Sequence, residues 1–333
     1  MNSVDYKLFC TIAKMSQNTL LKSMKNFLSK YYPREKINAT PKYILCEGTS
    51  PIMLVAHLDT VFKVPPDKIY YDRQQHVMWS PQGLGADDRA GVFAIMKIIQ
   101  NGYRPHICFT TDEEVGGIGA QTLVNRHKTA PFDIKYIVQL DRQGVCDCVF
   151  YSCENFDFQS FIEKYGFLTE WGTFSDISTI CPTWKVAGVN LSVGYFNEHN
   201  KIETLHTDAL YSTIKKVKQM IIDIEKAPTF EYIALPYDEY LTKLYNYYSF
   251  PTDDEGAYYF NNYYKVYSCQ CSNCNKYFPA EDVILVKSKD KTNISKYYCL
   301  DCIGAAEINW CEECGEPFEA NNKDEKYCLE HRK

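Results

Sequence analysis

Five short stretches hold acids and imidazoles at positions where they can act together. LVAHLDT sets His57 and Asp59 directly after an apolar run. GLGADDRAGV places Asp87 and Asp88 between a glycine-rich turn and a helical pattern. FTTDEEVGG carries Glu113 and Glu114, YIVQLDRQG carries Asp141, and VGYFNEHNKIE carries His199. Each has an ordinary explanation by itself. An HxD pair is commonly just hydrogen-bonded, an Asp at a helix start caps it, and adjacent glutamates face solvent. What these explanations leave out is the shared position at the ends of expected strands. Carboxylates gathered there raise each other's pKa and destabilise the fold unless cations neutralise them. Two imidazoles and three or four carboxylates, with no thiol, suit a hydrolytic pair of zinc ions, and cobalt or manganese would suit the same donors.

The elements that must position these groups follow from apolar periodicity. Short apolar segments read as buried strands at Tyr43–Cys46, Ile52–Ala56, Ile107–Thr110, Tyr136–Leu140, Cys148–Ser152 and Val189–Tyr195. Helical spacing covers residues 5–30 and recurs at Asp88–Gln100, Ile118–Arg126, Phe156–Tyr165 and Glu203–Glu225. This alternation predicts an α/β layer fold with a mixed, mostly parallel sheet flanked by helices. In such sheets ligands bind beyond the carboxyl ends of the strands.

The 333 residues are 45% hydrophobic and 23% charged, a globular composition, and the length suggests about two domains. A net charge of −6 gives no support to a whole-surface nucleic-acid or membrane binder. No apolar run is long enough to span a bilayer, and MNSVDYKLFCTIAKMSQ lacks the pattern of a signal peptide, so a cytoplasmic location is expected. Seven of the fifteen cysteines are scattered through the first two-thirds and eight fall between Cys269 and Cys328. An odd total without an export signal argues against a disulfide framework.

In order and type, the acid–imidazole set resembles the di-zinc aminopeptidase and carboxypeptidase superfamily, the M20, M28 and M42 peptidases. HLDTV and GADDRAGV look most like the tripeptide aminopeptidases, and the resemblance spans roughly residues 45–225. It implies a zinc-exopeptidase-like fold in which Asp87 bridges two metals. His57 and Asp141 would complete one site, and Glu114 and His199 the other. Asp59 would orient the His57 ring, Glu113 would be the general base, and the Asp87–Asp88 peptide would be cis. His206, in LHTD, is the alternative last ligand; His199 is preferred because it follows its strand directly and has Glu203 four residues on. WGTFSDISTI resembles the family's segment before that ligand, so Ser175 and Asp176 would line the substrate pocket or cap a helix. M20 enzymes insert a lid between the fourth and fifth motifs, and M42 enzymes insert a domain between the first two. Both intervals are short here, which points to a compact, M28-like core.

The C-terminal cysteines come mostly in CxxC pairs. Cys271 and Cys274 pair with Cys299 and Cys302, and Cys311 and Cys314 pair with Cys328 and His331. Each pair is a knuckle offering two ligands, and two knuckles complete a tetrahedral zinc site. Four knuckles in about sixty residues favour two structural zinc ions over redox pairs. Cys269 is left over and is an alternative to Cys271. The expected organisation is a catalytic domain over 1–226, a Tyr-rich connecting segment over 227–267, and a zinc-ribbon module over 268–333. Acidic neighbours (Glu281, Asp282, Glu312, Glu313) argue against a phosphate-binding surface on that module, leaving a protein contact or a structural role.

The leading reading is a peptidase acting at a free N-terminus. A second keeps the metals but cleaves another amide, such as an acylated amino acid or a cell-wall peptide. A third is a zinc-ribbon adaptor whose hydrolase domain is inactive.

Overall fold

The computed structural model describes residues 1–235 and, further on, residues 268–274, 277–279, 283–287, 296–303, 308–314, 317–322, 324–328 and 331. The chain divides into two units, Met1–Tyr240 and Leu241–Lys333. Residues 227–235 run along the first unit, where Glu231 bridges to Val186 and Ala234 to Cys153. The rest of the Tyr-rich segment, 236–267, lies outside the described residues.

In the first unit the apolar runs assemble into an eight-stranded sheet. Its centre is four parallel strands in the order β6 (Pro105–Thr110), β3 (Ser50–His57), β7 (Tyr136–Arg142) and β10 (Gly188–Ser192). Strands β2 (Tyr43–Cys46) and β1 (Ile37–Ala39) extend one edge antiparallel, and β8 (Asp147–Val149) and β9 (Leu168–Glu170) extend the other. Successive side chains of a strand point to opposite faces, and β3 shows it. Ile52, Leu54 and Ala56 join the core under helices α1 (Ser3–Ala13), α2 (Gln17–Leu28), α3 (Ala86–Gln100), α5 (Phe156–Glu163) and α7 (Thr207–Asp223). Met53 and Val55 join the core under α4 (Ile118–Arg126) and α6 (Ile177–Trp184).

Four expected elements differ in their details, the first being the strand expected over Cys148–Ser152, which runs from Asp147 and ends at Val149. The helical run over 5–30 is two helices, because the Ser16 hydroxyl accepts from the Thr19 amide and starts α2 afresh. The strand expected over Val189–Tyr195 breaks at Gly194, whose φ is 89°. Any Cβ there would lie 2.6 Å from the His206 carbonyl, so the turn requires glycine. The helix expected from Glu203 begins at Thr207, because Thr204–His206 form a strand (β12). That strand pairs with β11 (Tyr195–Phe196) and β5 (Val77–Trp79), and β4 (Tyr70–Asp72) completes a small second sheet.

Among the described residues of the second unit are three antiparallel strand pairs: β13 (Ser268–Gln270) with β14 (Tyr277–Pro279), β15 (Val283–Val286) with β16 (Lys296–Cys299), and β17 (Ile308–Trp310) with β18 (Pro317–Glu319). Lys287 bridges to Phe318 and joins the last two. Buried Glu319 accepts from the Tyr298 hydroxyl at 2.5 Å and from the Lys296 ammonium at 2.9 Å. Among the described residues no disulfide joins any cysteines, and no helix is long and apolar enough to cross a membrane.

Candidate metal centre

The parallel order of β6, β3 and β7 brings three of the five motifs to one end of the sheet. His57 ends β3, Asp141 lies near the end of β7, and Glu113 and Glu114 sit in the turn after β6. The other two arrive from α3 and from the loop after β11. Asp87 and Asp88 open α3 with non-helical angles and a cis peptide between them. Gly91, one turn on, lets α3 press against β7: a Cβ there would lie 1.9 Å from the Leu140 carbonyl oxygen.

These side chains converge. His57 Nε2 lies 3.0 Å from Asp87 Oδ1 and 3.3 Å from Asp141 Oδ1. His199 Nε2 lies 3.1 Å from Asp87 Oδ2 and 3.0 Å from Glu114 Oε2. Asp87 therefore belongs to two triads, one oxygen in each. Asp59 Oδ1 faces His57 Nδ1 at 3.3 Å, close enough for charge attraction although not aligned as a hydrogen bond. Both Asp59 oxygens also accept the backbone amides of Glu113 and Glu114 at 3.1 Å.

Asp88 also comes within reach of His57 and Asp141, but its carboxylate is committed elsewhere. It accepts the backbone amides of His57 at 3.2 Å and Gly91 at 2.8 Å. Glu203, fully buried, grips the turn before α3 by accepting from the amides of Gly85 at 2.5 Å and Asp87 at 3.0 Å.

The electrostatics of the cluster favour added positive charge. Burial raises the Asp141 carboxyl to about 7, with the Asp87 charge adding to the effect. Burial likewise raises Glu113 to about 9, assisted by the charges of Asp141, Asp176 and Glu114. Hydrogen bonds to Asp87 and Glu114 raise His199 to about 11. Glu114 Oε1 is buried with no hydrogen-bond partner among the described residues. Such a cluster can be fully ionised only if positive charge is supplied between its members. Imidazole nitrogens and carboxylate oxygens, without sulfur, fit two divalent ions of the zinc type.

Ser175 and Asp176, expected to line a substrate pocket or cap a helix, do neither with their side chains. They are 1% and 0% exposed. The Ser175 hydroxyl reaches Asp141 Oδ2 at 3.4 Å, and the Asp176 carboxylate accepts from Thr110. Burial makes them supports behind the cluster. His206 stands at the start of α7 with its ring against Phe196, and no described ion pair joins it to the carboxylates.

Other supports went unread in the sequence. Gln139 donates to Asp141 Oδ2 at 2.9 Å, and Tyr195 donates to Oδ1 at 3.3 Å. Asn190 brackets the Asp141 backbone, accepting from its amide and donating to its carbonyl. Gln139 was recoverable, because positions i and i+2 of a strand share a face. Asn190 and Tyr195 leave no local signal.

In the second unit Cys311, Cys314, Cys328 and His331 gather their ligand atoms within 4.8 Å of one another. His331 Nδ1 lies 3.5 Å from Cys311 Sγ and 3.3 Å from Cys328 Sγ. Cys271, Cys274 and Cys302 form a second such group. The side chains of Cys299 and Cys269 lie outside those described. Three sulfurs with one imidazole, and the three gathered thiols, fit structural zinc.

The first unit thus has the α/β architecture of the zinc exopeptidases, with a metallohydrolase constellation at the strand ends. Residues 44–166 match the model of peptidase family M28, so this unit contains an M28 peptidase domain. No curated protein matches the chain. Aminopeptidase PepT from Bacillus cereus ATCC 10987 superposes with a TM-score of 0.52 at 15% identity, over 66% of this chain and 98% of that one. A tripeptidase from Staphylococcus aureus subsp. aureus Mu50 gives 0.53 at 14% identity, over 67% and 98%. The TET aminopeptidase of the marine sediment archaeon Thaumarchaeota archaeon SCGC AB-539-E09 gives 0.52 at 14%, over 66% and 97%. At these identities the likeness is one of fold.

Proposed function

We propose that the first unit is a two-metal peptidase that hydrolyses peptide bonds, acting as an aminopeptidase. The observation that carries this reading is the division of Asp87 between two triads, His57–Asp141 and His199–Glu114. His57, Asp87 and Asp141 would hold one ion, and His199, Asp87 and Glu114 the other. A divalent pair, when bound, polarises an amide carbonyl and makes water acidic enough to attack it.

The chain's own residues do the rest. Glu113 takes a proton from the attacking water and returns it to the departing amine. Asp59 sets the angle of that base by holding its backbone amide, while its charge keeps the proton of His57 on Nδ1 and leaves Nε2 to the metal side. Gln139 and Ser175 engage Asp141 Oδ2, while Oδ1, which also accepts from Tyr195, is the oxygen that faces His57. The folds it superposes on are an aminopeptidase, a tripeptidase and a TET aminopeptidase, which favours a free N-terminus as the point of attack. A cytoplasmic location and structural zinc on the two cysteine groups belong to the same proposal, with Cys299 as the fourth ligand beside Cys271, Cys274 and Cys302.

The test is hydrolysis by the zinc-loaded full chain of small peptides with free and with blocked N-termini. Glu113→Gln is expected to lose turnover by at least about a hundredfold while retaining its metal. Wild-type turnover in that variant would remove Glu113 as the base. Preference for blocked substrates would replace the aminopeptidase by a deacylase.

A further inference from the structure

The turn that carries Glu113 is gripped by side chains on both sides of that residue. Asp59 takes the amides of Glu113 and Glu114. The amide just before them, that of Asp112, donates to Gln17 Oε1 at 3.1 Å. Gln17 Nε2 donates back to Asp112 Oδ1 at 3.0 Å, so a single carboxamide holds both the backbone and the side chain of one residue. Three successive amides, those of residues 112 to 114, are thereby taken by side chains from elsewhere in the fold.

The backbone at Asp112 needs such a hold. Its φ of 58° lies in the left-handed region, which a Cβ makes unfavourable and which Asp and Asn tolerate better than other non-glycine residues. Asp112 Oδ2 accepts from the Lys42 ammonium at 2.7 Å and from the Thr111 hydroxyl at 3.0 Å. The Asp112 carbonyl accepts from the Ile118 amide and the Glu113 carbonyl from those of Gly116 and Gly117, which closes the turn. Gln17 owes its own place to α2, of which it is the first residue. Ser16 caps that helix, and Leu20, Met24 and Leu28 anchor it in the core.

We propose that Gln17 and Asp112 are positioning residues for Glu113: through this clamp the first turn of α2 fixes where the base stands against the attacking water. The inference rests on the peptidase reading and adds to it a hold on the base separate from that of Asp59. Asp59 grips the turn at Glu113 and beyond, and a segment gripped on one side can pivot about that grip. A displacement of about 1 Å at a reacting group can cost about a hundredfold in rate. Gln17 has no described hydrogen bond to the metal-facing side chains, so its influence passes through Asp112. The rival account is contact with substrate, because Gln17 and Asp112 also line a cavity of about 490 Å³ that reaches Asp59 and Glu114. Kinetics separate the two. A contact made equally in the ground and transition states appears in KM, and a misplaced base appears in kcat.

The experiment measures kcat, KM and zinc content of the full chain carrying Gln17→Ala, Asp112→Asn, Asp112→Gly or Asp112→Ala. The substrate is the best-cut member of a panel of tripeptides with free and with blocked N-termini. Gln17→Ala is expected to lower kcat at least about tenfold, with KM within about threefold of the wild type and the zinc content unchanged. Asp112→Asn keeps an acceptor for Gln17 and tolerates the left-handed turn, so it should turn over at least about tenfold faster than Asp112→Ala. Asp112→Gly accepts the backbone angle freely but lacks the acceptor, and should stay as far below Asp112→Asn. A kcat within about threefold of the wild type in Gln17→Ala, with or without a rise in KM, overturns the clamp and leaves the peptidase reading standing. So does a loss of rate that follows lost zinc, since the hold would then be on Glu114. Amide hydrogen exchange of the zinc-loaded chain supplies a readout apart from chemistry: the amides of residues 112 to 114 should exchange at least about tenfold faster in Gln17→Ala. If they do and the wild type cuts no amide, the clamp on the turn stands and the peptidase reading falls. Unchanged exchange overturns the clamp.

Discussion

Gly91 is where the helix carrying Asp87 and Asp88 rests on the strand carrying Asp141, and Gly91→Ala tests how tightly that contact is set. The added Cβ would lie 1.9 Å from the Leu140 carbonyl oxygen and 2.5 Å from Asp88 Oδ1. Cβ atoms essentially never come within 3.0 Å of another atom, so α3 and β7 must separate by roughly 1 Å. The first obstacle is backbone, which has no rotamer to change. Overpacking of this kind costs about 1–3 kcal/mol, and alanine returns up to about 1 kcal/mol as the better helix former. For a unit of this size the net corresponds to a few degrees in Tm, at about 2–4 °C per kcal/mol. The effect on chemistry is expected to be larger. The displacement falls between Asp87 and Asp141, which face His57 Nε2 together, and a misplacement of about 1 Å can cost about a hundredfold in rate. The expected result is a protein that melts a few degrees lower, binds the second equivalent of catalytic zinc more weakly and turns over at least about a hundredfold more slowly. Wild-type zinc affinity and kcat in a folded Gly91→Ala protein would refute the account of α3 as a rigid ligand carrier.

Metal binding should release protons. Asp141 and Glu113, raised to about 7 and about 9 in the metal-free protein, hold protons near neutrality that a cation must displace, so affinity should weaken as pH falls. Calorimetric titration in two buffers of different ionisation enthalpy reads the number directly; zero release at pH 7 would contradict the crowded cluster. Burial works against the Asp5 carboxylate, but hydrogen bonds from Lys97, Tyr211 and Asn2 outweigh it and hold its pKa below 3.8. A depressed carboxyl pKa stabilises the fold above pH 3.8 and loses that contribution as the pH falls below it. Asp5→Asn should therefore lower Tm at pH 7 and narrow its gap to the wild type near pH 3, as thermal melts will show. In the second unit, Cys328→Ser should lower the zinc content of the full chain by about one equivalent in elemental analysis, and unchanged content would remove Cys328 from its site.

The central sheet was legible because its strands are continuous apolar runs bounded by turn residues, and β2, β3, β6 and β7 lie where those runs stand. The supports were less so. Thr204–His206 are a strand only because β5 and β11 lie on either side, which no local pattern announces. Ser175 and Asp176 were noticed for their types, but their burial is tertiary: Ser175 reaches Asp141 and Asp176 accepts from Thr110, partners 34 and 66 positions away in the chain. Asp59 was expected beside His57. That it also fixes both glutamates follows from the pairing of β3 with β6, a tertiary fact.

Arg89 has a consequence for how the protein can be handled. Its buried guanidinium gives one nitrogen to the carbonyls of Leu58 and Asp59 and the other to the carbonyl of Met15, at the corner between α1 and α2. The opening thirty residues are thereby stapled to the turn that follows His57 at the end of β3 and carries Asp59. Trimming them would take the Met15 carbonyl from this guanidinium and uncover it beside the carboxylate cluster, so a shortened form that starts at the first strand should turn over more slowly than the full chain even where the sheet survives.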